Sequence, residues 1–267
     1  MNQQIADDIN ILGHFCGKRD VLSLEPQILK ETYGIQQVDV MVLFGGSILS
    51  GGDVLAKAIS QHVAKTYVIV GGAGHTTQTL RYKMKEVFPH MAVEDMTEAE
   101  LFQNYIKWKY DVTADYLEYK STNCGNNITY LLALLDEKKI FYQSMILVQD
   151  ACMQYRMEAT LRNYVSKEVC IINYAAYQVK VIYDQGKLLY DREINGMWEM
   201  DRYLSLLMGE IPRLLDDEHG YGPKGKGFIA HVDIPDMVWS AYLDLKKVYQ
   251  GMTRKANPLY ASVDSDQ

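Results

Sequence analysis

Glu98 and His75 are the residues whose types suit proton transfer, and Arg156 is the cation best placed to hold an anion. Thr97-Glu-Ala-Glu100 matches a capping box, which gives Glu100 a structural task and leaves Glu98 without one. Glu98 is then either an acid–base group or a first-turn glutamate that favours the helix dipole. His75 follows Gly71-Gly-Ala-Gly74, where three readings stand: ligand contact, proton transfer, or a ring packed at a turn. Arg156 lies about two turns beyond Asp150, which can cap the intervening helix. From there it either points back to an anion or makes a surface ion pair.

These residues belong to four corners at which an apolar run gives way to glycine or polar residues. In Tyr67–Thr79, Val68-Ile-Val70 reads as a strand buried on both faces, because its apolar run is continuous. Gly72 and Gly74 carry no Cβ and let backbone N–H groups approach a ligand; Thr76 or Thr77 can cap the helix that follows, whose N-terminus attracts anions. A tight strand-to-helix turn without a ligand is the plainer reading of that stretch. The same grammar ends Val38–Phe44 in Gly45-Gly46-Ser47. Ser121-Thr122-Asn123-Cys-Gly-Asn-Asn127 crowds hydroxyls and amides at a third junction, more than the single cap a helix needs. Ser144–Val148 runs into Gln149 and Asp150, the latter with capping as its structural alternative. In an open parallel sheet such strand ends share one rim, where ligands bind at the switch in strand order. The rim residues on their own point to a nucleotide or another anionic small molecule.

Several classes are disfavoured. GxxxxGK[ST] and GxSxG are absent, and Gly72-Ala-Gly74 places Thr77 where a full GxGxxG has glycine. A formal net charge of −7 argues against a protein built to hold nucleic acid. The 4 cysteines and 6 histidines lack zinc-like spacing, so no metal site is expected and reduced thiols are the default. Met1–Leu12 carries Asp7 and Asp8 without a long apolar stretch, which predicts neither a signal peptide nor a membrane anchor, hence a cytoplasmic protein. With 267 residues and 48% hydrophobic content, the chain can bury a substantial core.

The elements that must position the corners alternate strand and helix, which predicts an α/β fold: a Rossmann-like, open, mainly parallel sheet flanked by helices. Strands are expected at 38–44, 67–70, 116–119, 144–148 and 169–174, with a hairpin over 178–190. The ligand-binding core is expected over 37–195, with helical additions over 1–36 and 196–252 and a polar tail over 253–267. The glycine-rich segment 216–228 reads as a lid or an exposed connector.

Gly45-Gly-Ser, Gly71-Gly-Ala-Gly-His-Thr, the Glu98-Ala pair, Ser121–Asn127 and Val148-Gln-Asp through Arg156 resemble, in order, the motifs of the SanA, ElyC and YdcF family of bacterial proteins. Arg202–Leu214, Asp216-Asp, Gly220-Tyr-Gly-Pro-Lys-Gly and His231-Val-Asp narrow the likeness to its YdcF-like branch. The resemblance spans about Val38 to Val238. It implies a Rossmann-like core with a smaller helical part and S-adenosylmethionine as the cofactor, without supplying a reaction. Asn126 departs from it, since the family commonly has glutamate there. Three functions follow as expectations: a cofactor-binding enzyme, a transferase included; a hydrolase or transferase acting on a phosphorylated or glycan-linked envelope precursor, with Glu98 and His75 as acid–base groups; and a non-catalytic cofactor sensor.

Overall fold

Alternate residues of each central strand face opposite ways, and both faces are apolar. The computed structural model describes residues 2–74 and 76–250, the side chain of Asn2 apart. Strands β1 (Val38–Phe44), β2 (Ala64–Val70), β3 (Tyr116–Glu118), β4 (Ser144–Val148) and β5 (Cys170–Asn173) form one parallel five-stranded sheet in the order β3-β2-β1-β4-β5. Met41, Leu43, Ile69, Ile146 and Val148 enter the larger core; Val40, Val42, Phe44, Val68, Met145 and Leu147 enter a second core on the other face. This is why the strands read as continuous apolar runs. The architecture is the expected open, Rossmann-like α/β sheet flanked by helices.

The helices α3 (Ser50–Ser60) and α5 (Glu98–Tyr110) supply Leu55, Ala58, Phe102 and Tyr105 to the larger core. The second face is covered by α6 (Cys124–Glu137) and α7 (Gln154–Arg162), through Ile128, Leu131, Met157 and Leu161. Helix α4 (Thr77–Val87) follows β2. The chain leaves β1 toward β2 and β3 on one side, then returns to place β4 and β5 on the other. The switch in direction therefore falls between β1 and β4, the position at which open α/β sheets bind ligands.

The additions pack on the larger core: α1 (Asn2–Cys16), α8 (Met200–Leu214) and α9 (Asp236–Val248) against one another, and α2 (Pro26–Tyr33) through Leu29. A hairpin of β6 (Val181–Asp184) and β7 (Lys187–Tyr190) turns through Gln185 and Gly186, both at positive φ. It is tied to α1 by Asn10, whose side chain accepts from Val181 N at 2.7 Å and donates to Val181 O at 2.8 Å. The expected polar tail 253–267 lies outside the described residues. No helix among the described residues is long and apolar enough to cross a membrane.

Segment 216–228 is a set of turns bonded to itself and to its neighbours. Tyr221 N donates to Arg213 O, Lys224 N to Asp216, and Asn163 Nδ2 to Gly227 O. Ala230 N, just beyond, donates to Ala159 O of α7.

Arg156 departs from its expected place. It sits in the first turn of α7 with its guanidinium against Glu210 of α8: Nε to Oε2 at 2.5 Å and Nη2 to Oε1 at 3.0 Å. Glu210 is 1% exposed and also has Arg213 Nη1 at 3.6 Å. Arg156 is thus the buried clasp between core and additions, not a free cation at the rim. Removing one member of such a pair leaves the other charge buried. Glu210→Gln is expected to destabilise the protein by about 3–5 kcal/mol. The double variant Arg156→Met/Glu210→Leu should recover much of that loss, and urea denaturation of all three proteins checks it. A double variant no more stable than Glu210→Gln would show that the clasp is not the source.

Candidate functional site

The rim begins where β1 and β2 end side by side in Gly45 and Gly71. Gly45 N donates to Val70 O at 2.6 Å. A Cβ on Gly45 would lie 3.1 Å from Gly71 Cα and 3.0 Å from Glu98 Cβ; one on Gly71 would also lie 3.0 Å from Glu98 Cβ. Glu98 opens α5 and is seated by two backbone bonds, Glu98 N to Gly72 O at 3.0 Å and Ala99 N to Gly71 O at 2.8 Å. Both glycines therefore have a structural cause: they make room for the Glu98 side chain. The expected capping box is present, with Thr97 and Glu100 bonded reciprocally, and Glu98 lies outside it.

Glu98 is 7% exposed, and its Oε1 accepts from Thr76 Oγ1 at 2.8 Å and Thr77 Oγ1 at 2.9 Å. The sequence predicts that Thr76 or Thr77 caps α4; neither side chain does so, and both hydroxyls turn to the glutamate instead. Burial pushes the carboxyl up from 4.5 to about 7, against the pull of the two hydroxyls and the Arg81 charge. A group with that value is partly protonated at neutral pH and can give or take a proton. His75, the other acid–base candidate, lies outside the described residues.

At the switch point, Ser47 follows β1 and Gln149 follows β4. Ser47 is fully buried and Gln149 is 2% exposed. Ser47 Oγ and Gln149 Nε2 are both buried without a hydrogen-bond partner among the described residues. The rest of Gln149 is engaged: its N donates to Gln154 Oε1 at 2.8 Å, and its Oε1 accepts from Asp150 N at 2.7 Å. A cavity of about 10 Å³, room for one small group, is lined by Phe44, Gly46, Phe102, Gln149, Asp150 and Ala176 among others.

Asp150 does not cap α7, whose N-cap position is Met153. Its Oδ1 accepts from Cys152 N and from Tyr177 Oη, both at 2.9 Å, and its Oδ2 from Trp198 Nε1 at 2.6 Å. Both carboxylate oxygens are thus engaged by the protein. The segment carrying Trp198 crosses the β1–α3 loop. Ser50 N donates to Asn195 O at 3.1 Å, and Gly196, at φ 76°, leaves so little space that a Cβ would lie 2.8 Å from Leu49 N. Lys83 of α4 fastens this strap, donating to Ser47 O at 3.0 Å and to Gly196 O at 2.5 Å, with its ammonium 4.8 Å over the Trp198 ring. Burial pulls the Lys83 pKa down. Lys83 is the cation at this part of the rim, the place that sequence reasoning gave to Arg156. A lysine about two turns inside α4 gives no local sign of it.

The remaining corner is mostly engaged with itself. Gly72 N donates to Ser121 O at 3.0 Å and Ser121 Oγ at 3.3 Å, and a Cβ there would lie 2.8 Å from Tyr119 O. Gly74 N donates to Thr77 Oγ1 at 2.7 Å. Asn123 caps α6 through Asn126 N at 3.0 Å, and Asn126 Oδ1 accepts from Asn123 Nδ2 at 2.8 Å and from Thr122 Oγ1 at 3.3 Å. Asn127 stays half-buried, with no side-chain hydrogen bond among the described residues. Glu118, unremarked in the sequence, holds this loop by accepting from Lys120 N at 2.6 Å and Ser121 N at 3.1 Å. The structure therefore joins Gly45, Gly71, Thr76, Thr77 and Glu98 in one cluster and Gly46, Ser47, Gln149 and Asp150 in an adjoining one. Arg156 belongs to neither.

The folded-state pKa of Glu98 is raised, so its favourable contribution is complete below about pH 4.5 and is lost as pH rises through about 7. Glu98→Gln keeps an acceptor and cannot ionise. Its stability relative to the parent should rise by about 3 kcal/mol between pH 4.5 and pH 8. Denaturant midpoints at the two pH values check this, and a difference that does not change with pH would contradict the buried, titrating carboxyl.

No protein-family model matches the chain.

Proposed function

We propose that the chain binds a nucleoside-type small molecule that carries a carboxylate, S-adenosylmethionine by the motif resemblance, on the rim above the β1/β4 switch point. The observation that carries this reading is the pair of buried donors without a partner among the described residues, Ser47 Oγ and Gln149 Nε2, on the two loops that flank the switch. A buried hydroxyl or amide without a partner costs about 1–3 kcal/mol, a cost that ligand acceptors would relieve. The donor set suits a ligand with ribose hydroxyls and a carboxylate. Ser47 and Gln149 supply hydrogen bonds, and Lys83 and the first turn of α4, which lacks a side-chain cap, favour negative charge. When bound, S-adenosylmethionine supplies an electrophilic methyl group on a sulfonium. The protein's own residues hold the ligand, and Glu98 carries a proton beside it. The cavity of about 10 Å³ admits one group, so the body of the ligand rests on the outer rim, and full access to Ser47 requires the strap at Asn195–Trp198 to shift.

One observation favours a second reading, acid–base turnover of a phosphorylated or glycan-linked precursor: the Glu98 carboxyl, held near pKa 7 at the rim. A panel of phosphorylated substrates separates the two readings, since turnover by this route requires Glu98 and should fall at least about a hundredfold in Glu98→Gln. Equal turnover would remove Glu98 from the reaction.

Calorimetric titration with S-adenosylmethionine is expected to give one saturable site per chain. Ser47→Ala is expected to weaken binding about tenfold while raising stability by about 1 kcal/mol, because it deletes a donor that only the ligand satisfies. No heat at high micromolar ligand would sink the proposal. A Ser47→Ala variant that binds as before would remove Ser47 from the site.

A further inference from the structure

A second opening, far larger than the switch-point crevice, lies away from the rim. A cavity of about 560 Å³ lies among α1, the start of α9, α8 and the chain leading into the hairpin, within the range of small-molecule sites. Phe15, Tyr177, Val179, Tyr203 and Val238 give it an apolar, largely aromatic wall. Its polar features are few and one-sided. Tyr203 is 2% exposed and its hydroxyl makes no hydrogen bond among the described residues. Burial holds its pKa well up, so it stands there as a neutral donor. The neighbouring helix has given up a side chain to let it in: a Cβ on Gly13 would lie 2.6 Å from Tyr203 Oη.

The mouth is cationic. Lys180 is exposed and forms no ion pair among the described residues, and exposed His14 stands nearby. Arg192 is balanced by Asp191 at 2.7 Å, which leaves Lys180 as the uncompensated charge. Tyr177, whose ring lines this cavity, donates to Asp150, which lines the switch-point crevice. The two openings therefore lie on either side of the Gln149–Ala151 turn and are distinct.

We propose that this cavity binds a small amphipathic acid: an aromatic body against Phe15 and Tyr177, an oxygen acceptor on the Tyr203 hydroxyl, and a carboxylate at the mouth with Lys180. A phenol hydroxyl without a hydrogen-bond partner and an ammonium without an ion pair, among the described residues, on the wall of one largely apolar cavity define that class. The site does not depend on what the rim binds.

The test uses the full chain and two probes that differ in one group, coumarin-3-carboxylate and neutral coumarin, titrated by calorimetry in the absence of S-adenosylmethionine. The acid is expected to bind one per chain. Lys180→Gln should weaken the acid about fivefold, the worth of a partly exposed ion pair, and leave coumarin unchanged. Tyr203→Phe should weaken both probes about tenfold, because both carry the lactone carbonyl. Lys180 is exposed, so its variant tests the proposal even if Tyr203→Phe proves unstable. Absence of saturable binding up to millimolar acid, or affinities indifferent to Lys180→Gln, would overturn the proposal.

Discussion

A carboxyl group taken out of water must be protonated or given donors, and Glu98 does some of both at the junction of β1 and β2. Two hydroxyls reach its Oε1, and burial still raises its pKa to about 7. Its side chain occupies the space that Cβ atoms on Gly45 and Gly71 would need. The first turn of α5 is anchored by its own N–H groups on Gly71 and Gly72 carbonyls. Because Thr76 and Thr77 serve the glutamate, α4 starts without a side-chain cap. One buried acid thus accounts for two glycines, the seat of a helix and the uncapped start of another.

Most of the fold was legible from the alternation of apolar runs and helical spacing. β1 and β4 have the boundaries read from sequence, because their apolar runs give way to Gly45-Gly46 and to the polar Gln149-Asp150. Strand β2 begins three residues earlier than the apolar run, since Ala64, Lys65 and Thr66 pair with β1 despite their mixed polarity. The Thr97–Glu100 box was legible because capping is local in sequence, and the same local logic set Glu98 apart.

What was not legible depends on partners far along the chain. Arg156 and Glu210 are 54 residues apart, so nothing near Arg156 reveals that its charge is already matched. Asp150 resembles a helix cap, yet its second oxygen is held by Trp198, 48 residues on. A capping residue and a buried hub have the same local sequence when the distinguishing donors come from elsewhere. The glycines misled in the other direction: Gly72 looks like a position that lets a ligand approach, but carbonyls of the β3–α6 loop occupy that space.

The strap at Asn195–Trp198 shows why core and additions cannot be read separately at the rim. It belongs to the chain between the hairpin and α8, yet it overlies the β1–α3 loop and fixes Asp150 through Trp198. Lys83 couples the two by donating to carbonyls on both sides, Ser47 and Gly196. Movement of the strap away from the loop would break at least one of those bonds and reduce the burial of an ammonium whose pKa burial depresses. The freed charge would then stand beside Ser47, on the rim where an anion is proposed to sit. The contact that closes the rim and the charge that would suit the proposed ligand are thus the same side chain, so closure and the proposed carboxylate would compete for Lys83.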